Sequence, residues 1–110
     1  MLHILQNLFS KNDNSILKKM IQEGALLIDV RSQNEFVEGN AKGSVNIPLD
    51  QIENNLHQLR GKTNIIVFCR SGNRSGQAKL LLNKNGIVNV TNGGTWGNIQ
   101  DILSKITEKK

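Results

Sequence analysis

The side chains with the clearest chemical potential form one short segment around the only cysteine of the sequence. The segment is Cys69-Arg-Ser-Gly-Asn-Arg-Ser75. The apolar run Ile65-Ile-Val-Phe68 precedes it and an amphipathic run follows it, so it joins a predicted strand to a predicted helix. In an open α/β sheet such a loop lies beyond the carboxyl ends of the strands, where ligands bind. The candidate binding residues after the cysteine are Arg70, Ser71, Gly72, Asn73, Arg74 and Ser75.

A loop of this kind favours a negative charge on the cysteine sulfur. Consecutive backbone N–H groups can converge on an anion, and the helix that follows directs its positive end to the same place. Arg70 and Arg74 add two permanent positive charges, and Gly72 permits tight backbone curvature. Helix N-termini and nearby cations lower a cysteine pKa from about 8.5 to roughly 3.5–7.5. We therefore predict that Cys69 is a nucleophilic thiolate that needs no metal, no cofactor and no separate base.

The alternative for Cys69 is an inert buried thiol at the end of a strand. The arginines, glycines and serines that follow it are not typical of core packing, so the sequence favours a reactive thiol. A single cysteine also makes a disulfide within the chain impossible. We expect no metal at His3 or His57, because neither belongs to a cluster of ligand-type residues.

Length and composition indicate one ordinary globular domain. The chain has 110 residues, of which 37% are hydrophobic. Its net charge is +5, but its four aromatic residues are not interleaved with basic runs, so nucleic-acid binding is not expected. No apolar run is long enough to span a membrane, and Met1 to Phe9 lacks the features of a signal peptide. We therefore expect a cytoplasmic protein; its oligomeric state is left open.

Apolar patterning predicts strands that alternate with helices. The predicted strands are Ala25 to Val30, Val45 to Pro48, Ile65 to Phe68 and Ile87 to Val90, with a turn at Asn92 to Gly94. The predicted helices are an N-terminal extension within residues 1–12, one carrying Ile16 to Ile21, a short one at Asn34 to Glu38, one capped by Asp50, one carrying Ala78 to Leu82, and one capped by Asn98. This order predicts a single α/β domain over residues 1–110, with a small parallel sheet flanked by helices on both faces.

Four segments of the sequence together resemble the rhodanese-like domain family. One is the loop from Cys69 to Ser75, and the others are Leu27-Ile-Asp-Val-Arg31, Glu35-Phe36 with the stretch from Gly39 to Pro48, and Asn92-Gly-Gly94 with Trp96. The resemblance runs from about Ile16 to Ile106. The sequence departs from the family pattern at Asn40-Ala41, where His-Ile is usual, at Ser44, and in the short spacing between Gly94 and Trp96.

The resemblance implies a sulfurtransferase. Cys69 would take the outer sulfur of thiosulfate or a similar anionic donor, hold it as a persulfide, and pass it to a thiophilic acceptor such as cyanide, a thiol or a protein cysteine. Arg70 and Arg74 would hold the donor, and the N–H groups from Arg70 to Ser75 would cradle the persulfide.

Three further residues are candidates for supporting this site. Asp29 lies in an apolar strand, where a charge is costly unless it is paired, and the resemblance implies an ion pair with Arg31. Trp96 lines the pocket or belongs to the core, and the sequence favours neither position.

Two other functions stay open at this point. Cysteine-dependent phosphatases and arsenate reductases grip an oxyanion with a cysteine, five residues and an arginine. Here Arg74 comes one position earlier and Ser75 occupies that place, so the loop is shorter than the oxyanion needs. The other function is a carrier module that receives sulfur from a partner protein and passes it on, since the same persulfide chemistry would serve it.

Overall fold

The computed structural model describes residues 14–108, so the helical extension predicted within residues 1–12 lies outside the described part of the chain. The helices are α1 (residues 14–22), α2 (Gln33–Glu38), a 3-10 helix (Leu49–Asn55), α3 (Leu56–Leu59), α4 (Asn73–Lys84) and α5 (Trp96–Glu108). The strands are β1 (Leu26–Asp29), β2 (Val45–Asn46), β3 (Ile65–Cys69) and β4 (Val90–Thr95). No helix within residues 14–108 is long and apolar enough to cross a membrane.

The four strands form one parallel sheet in the order β2-β1-β3-β4. Ile28 of β1 lies opposite Val67 of β3 on one side and opposite Val45 of β2 on the other. All strands run the same way, so β1 and β3 end at the same edge of the sheet with Asp29 and Cys69. The predicted α/β fold with a small parallel sheet is confirmed.

Strand β3 is buried on both faces, which explains its continuous apolar sequence. Alternate side chains point to opposite faces of a strand. Ile65, Val67 and Cys69 belong to a core cluster that also holds residues of the 3-10 helix, α3 and α4. Ile66 and Phe68 belong to a second cluster with residues of α1 and α5. The helices therefore cover both faces, and Cys69 lies on the face that α4 covers.

The predicted strand at Ile87 to Val90 and the predicted turn at Asn92 to Gly94 are wrong. The strand is Val90–Thr95, and the glycines lie inside it. A Cβ on Gly93 would lie only 2.7 Å from Cγ2 of Ile66, so this strand needs glycine for close packing. Gly94 has a φ of +82°, and the pairing with β3 shifts register between Val67 and Cys69. The glycines therefore mark a strand irregularity.

The predicted starts of three helices also need correction. Residues 14 and 15, which precede the predicted helix carrying Ile16 to Ile21, are already helical in α1. Asp50 caps no α-helix: it belongs to the 3-10 helix, whose turn opens with the Gln51 N–H donating to the Pro48 carbonyl at 2.8 Å. Asn98 is the third residue of α5, and its N–H donates to Oγ1 of Thr95 at 3.1 Å, so Thr95 is the cap.

Candidate active site

Cys69 ends β3 with its sulfur at the first turn of α4. Its Sγ accepts hydrogen bonds from the N–H of Gly72 at 3.0 Å and the N–H of Ser75 at 3.4 Å, and the Oγ of Ser75 lies 3.5 Å away. Gly72 precedes the helix with a φ of +93°, in the left-handed region that favours glycine. The sequence therefore folds here into a pocket of N–H groups around one sulfur atom.

These contacts favour the thiolate form of Cys69. Burial is the largest single influence on the thiol and opposes its ionisation. Hydrogen bonds from the Ser75 hydroxyl and from the N–H groups of Ser75, Ser71 and Gly72 outweigh burial, and they lower the pKa of Cys69 below its ordinary value. The sulfur is thus stabilised as an anion mainly through backbone and hydroxyl donors.

Asn92, on β4, holds this loop in place. Its Oδ1 accepts from the Ser75 hydroxyl at 2.7 Å and from the Gly94 N–H at 3.0 Å, while its Nδ2 donates to the Gly72 carbonyl at 3.0 Å. With its hydrogen directed to Asn92, the Ser75 oxygen faces the Cys69 thiol as an acceptor, and the hydroxyl must turn to donate to the thiolate. The sequence prediction named Asn92 only as part of a turn, and its one signal was a polar residue before two glycines.

Arg74 forms a two-pronged ion pair with Glu35. Its two terminal nitrogens lie 2.7 and 3.0 Å from the two carboxylate oxygens of Glu35. Glu35 also accepts from the N–H of Ser32 at 3.0 Å and completes the capping box that begins α2. The hydrogen bond from Arg74, followed by the backbone hydrogen bond from Ser32, lowers the pKa of Glu35 to about 2. This ion pair joins α2 to the first turn of α4.

The buried charge of Asp29 is paired with Arg31. The Arg31 Nη2 donates to Oδ2 of Asp29 at 2.7 Å, and its Nε lies 3.0 Å from both carboxylate oxygens. The same guanidinium donates to the Gly39 carbonyl at 2.6 Å and lies 4.6 Å from the centre of the Trp96 ring. The pair therefore connects the end of β1 to the end of α2 and the start of α5.

A cleft of about 390 Å³ opens beside the cysteine loop. It is lined by Arg31, Glu35, Glu38, Gly39, Arg70 and Trp96. Trp96 both lines this cleft and packs against the second core cluster, so it takes both of the positions that the sequence allowed. The Arg70 side chain has no hydrogen-bond or ion-pair partner among residues 14–108, and it is exposed. Cys69 itself is 0% exposed, so its sulfur is covered in this conformation.

The side chains of the remaining predicted loop residues, Ser71 and Asn73, lie at the surface. Asn73 is exposed, and its N–H donates to the Oγ of Ser71 at 3.4 Å. His57 is exposed on α3. Among the described residues, no group of histidine, cysteine and carboxylate side chains is arranged to hold a metal ion.

Residues 13–95 match the model of the family described as the Rhodanese-like domain. The chain belongs to the rhodanese-like domain family.

Relatives from several organisms share this domain. The chain is 40% identical over 77 residues to the uncharacterized protein YqhL of Bacillus subtilis, covering 66% of this chain and 61% of that protein. It is 33% identical over 102 residues to a putative mitochondrial thiosulfate sulfurtransferase of Schizosaccharomyces pombe, covering 80% of this chain and 72% of that protein. The solved structure of a rhodanese with anions from E. coli superposes with a TM-score of 0.63 at 28% identity, covering 68% of this chain and 91% of that one.

Proposed function

We propose that this protein is a sulfurtransferase that moves sulfane sulfur from thiosulfate, or a similar anionic donor, to a thiophilic acceptor through a Cys69 persulfide. The observation that carries the proposal is the ring of donors on Sγ of Cys69, two of them backbone N–H groups at 3.0 and 3.4 Å. Such donors stabilise a negative sulfur without a metal, in a family whose relatives include a putative thiosulfate sulfurtransferase.

The first half-reaction loads the cysteine. The Cys69 thiolate attacks the outer sulfur of thiosulfate and forms a new S–S bond. The bond between the two sulfur atoms of thiosulfate breaks, and its electron pair leaves with sulfite. The product is a Cys69 persulfide anion, whose charge falls where the loop N–H groups converge.

The second half-reaction unloads the cysteine. A thiolate or cyanide attacks the outer sulfur of the persulfide, the Cys69 S–S bond breaks, and the electron pair returns to Sγ. Because the donor product leaves before the acceptor enters, steady-state kinetics follow a ping-pong pattern.

Arg70 is the loop arginine that binds the donor in this proposal. Its side chain lines the cleft and has no partner among residues 14–108. Arg74, which the resemblance also implies as a donor-binding residue, is paired with Glu35 at 2.7 Å. We therefore assign Arg74 a positioning role, in which it fixes the first turn of α4 against α2.

The test is thiosulfate:cyanide sulfurtransferase activity. The wild type should turn over, Cys69→Ala should lose all turnover, and Arg70→Gln should raise the KM for thiosulfate. Lys19→Gln is the matched control, since it removes one positive charge from the exposed surface of α1 and should leave that KM unchanged. Absence of turnover in the wild type, or its persistence in Cys69→Ala, contradicts the proposal.

A partner-dependent sulfur carrier is the second candidate, and the complete burial of Cys69 favours it. A covered sulfur reacts with a small molecule only after the surrounding atoms move, whereas a docking protein could supply the energy for that movement. Slow loading by thiosulfate with fast loading by a persulfidated protein would support the carrier.

The phosphatase alternative is weakened further, because Arg74, the arginine that would bind the oxyanion, is already paired with Glu35. We propose that the protein is located in the cytoplasm, and cell fractionation tests this location.

A further inference from the structure

The charges that line the cleft beside Cys69 are not all of one sign. Two arginines and two glutamates line it. Arg31 is paired with Asp29 and Glu35 is paired with Arg74, so these two are already neutralised by neighbours. The other two are Arg70 and Glu38, which are exposed and whose side chains have no ion-pair or hydrogen-bond partner within residues 14–108.

We propose that the small-molecule acceptor of this site is a zwitterionic amino thiol, of which cysteine is the simplest, with its carboxylate on Arg70 and its ammonium on Glu38. The inference rests on the proposed sulfurtransferase function and names the class of acceptor that the site selects. It assigns Glu38 a binding role that the loop motif does not indicate.

The two available charges match the two charges of such a ligand. An arginine binds a carboxylate through two parallel N–H donors, and a glutamate attracts an ammonium group. A purely anionic thiol would gain from Arg70 but would be repelled by Glu38. A purely cationic thiol would be attracted by Glu38 but repelled by Arg70. Only a ligand with both charges gains at both ends.

The size of the cleft fits a compact ligand. Its volume of about 390 Å³ lies near the lower end of the range for small-molecule sites, roughly 300–1,000 Å³. Trp96 limits it on one side, and a Cβ at Gly39 would lie 3.2 Å from Cη2 of that indole. Glycine at this position therefore leaves room between α2 and the ring.

The order of the two half-reactions allows Arg70 to serve both ligands. Sulfite has left before the acceptor enters, so Arg70 is vacant when the amino thiol arrives. The acceptor loses its thiol proton to water, and its thiolate attacks the outer sulfur of the Cys69 persulfide. One S–S bond forms and one breaks, giving the persulfide of the amino thiol and the Cys69 thiolate.

The test measures the unloading step alone. Cys69 is first converted to its persulfide with thiosulfate, or with inorganic polysulfide if thiosulfate does not load it, and excess donor is removed. Four acceptors are then compared: cysteine, 3-mercaptopropionate (anionic), cysteamine (cationic) and 2-mercaptoethanol (neutral). Each rate is divided by the rate at which the same acceptor reacts with the neutral 2-hydroxyethyl disulfide in solution, which removes differences in intrinsic thiolate nucleophilicity. The rates compared are these normalised rates. We expect cysteine to exceed each of the others by about three- to fivefold, the size of an exposed ion pair, and we expect this preference to shrink at high salt.

Substitutions at Glu38 and Arg70 test which of these residues produces the preference for cysteine. Glu38→Gln should remove most of the preference for cysteine over 3-mercaptopropionate, and Arg70→Gln should remove most of the preference for cysteine over cysteamine. Glu53→Gln is the matched control, because this exposed glutamate lies on the 3-10 helix and does not line the cleft. Equal rates for cysteine and 3-mercaptopropionate, or a preference that survives in Glu38→Gln, would overturn the inference.

Failure of the proposed sulfurtransferase function can be distinguished from failure of the inference about the acceptor. Loading by thiosulfate reports on the proposed function, whereas the acceptor ratios report on the zwitterion. A protein that loads from thiosulfate and shows no acceptor preference keeps the function and loses this inference.

Discussion

Replacing Glu35 by glutamine removes the charge that fixes the cysteine loop while keeping the shape of the side chain. Glutamine can still complete a capping box with Ser32, because its amide oxygen also accepts from a backbone N–H. The substitution therefore isolates the ion pair with Arg74, whose nitrogens lie 2.7 and 3.0 Å from the carboxylate. It tests whether this pair stabilises the junction of α2 and α4.

The magnitude follows from the pKa of Glu35, which hydrogen bonds from Arg74, the largest cause, and from Ser32 together lower from 4.5 to about 2. If the whole of this pKa difference contributed to the stability of the fold, it would correspond to about 3 kcal/mol of unfolding free energy. The side chains of Arg74 and Glu35 are 35% and 28% exposed, so screening by water reduces the expected value to about 1–2 kcal/mol.

The pKa of Glu35 is lower in the folded state than in the unfolded state, and this determines how the stability contributed by Glu35 changes with pH. The stabilisation is fully present above pH 4.5 and is lost as the pH falls toward 2. Glu35→Gln should therefore cost about 1–2 kcal/mol at neutral pH, and this difference from the wild type should approach zero near pH 2.

Urea unfolding at a series of pH values measures this difference, with the fluorescence of the single tryptophan as the signal. Glu53→Gln, at an exposed glutamate outside the cleft, is the control and should change stability little at any pH. A difference for Glu35→Gln that stays constant from pH 7 to pH 2 would refute the assignment of its stabilisation to charge.

Two further predictions concern the loop and the strand behind it. Ser75→Ala should raise the pKa of Cys69, because the Ser75 hydroxyl is the largest of the donors that lower it; the pH dependence of iodoacetamide alkylation measures this. Ser71→Ala, which keeps its backbone N–H, is the control, and an equal shift in both variants would contradict the role of the hydroxyl. Gly93→Ala should destabilise the fold by about 1–3 kcal/mol through overpacking against Ile66. Urea unfolding tests it against Gly97→Ala, where a Cβ meets no atom within 4 Å; equal stability of the two variants would contradict the packing argument.

The fold was predictable where local pattern and burial agree. The run from Ile65 to Phe68 is apolar throughout because β3 is covered on both faces, and Gly39 marks the end of α2. Strand β4 was misplaced because Asn92-Gly-Gly94 has the composition of a turn. Gly93 is required by its contacts with Ile66 and Ile99, residues that the local pattern does not connect to it. Gly94 is favoured by its φ of +82°.

The site was predictable only in its local part. The strand, the cysteine and the glycine that opens the helix are consecutive, so their arrangement follows from the sequence. The partner of Arg74 lies 39 residues away, at Glu35, and Asn92 lies 17 residues from Ser75. These hydrogen bonds depend on how the elements pack, so the sequence suggested two donor-binding arginines where the structure leaves only Arg70 without a partner within residues 14–108.

The most direct test of the central claim is a single-turnover reaction of the protein with thiosulfate. Released sulfite is measured in the supernatant, and the mass of the peptide that contains Cys69 is measured in the wild type and in Cys69→Ser. The account predicts one sulfite for each sulfur atom gained by wild-type Cys69, with no gain in the variant. Sulfite release without sulfur on Cys69, or no release at all, would contradict it.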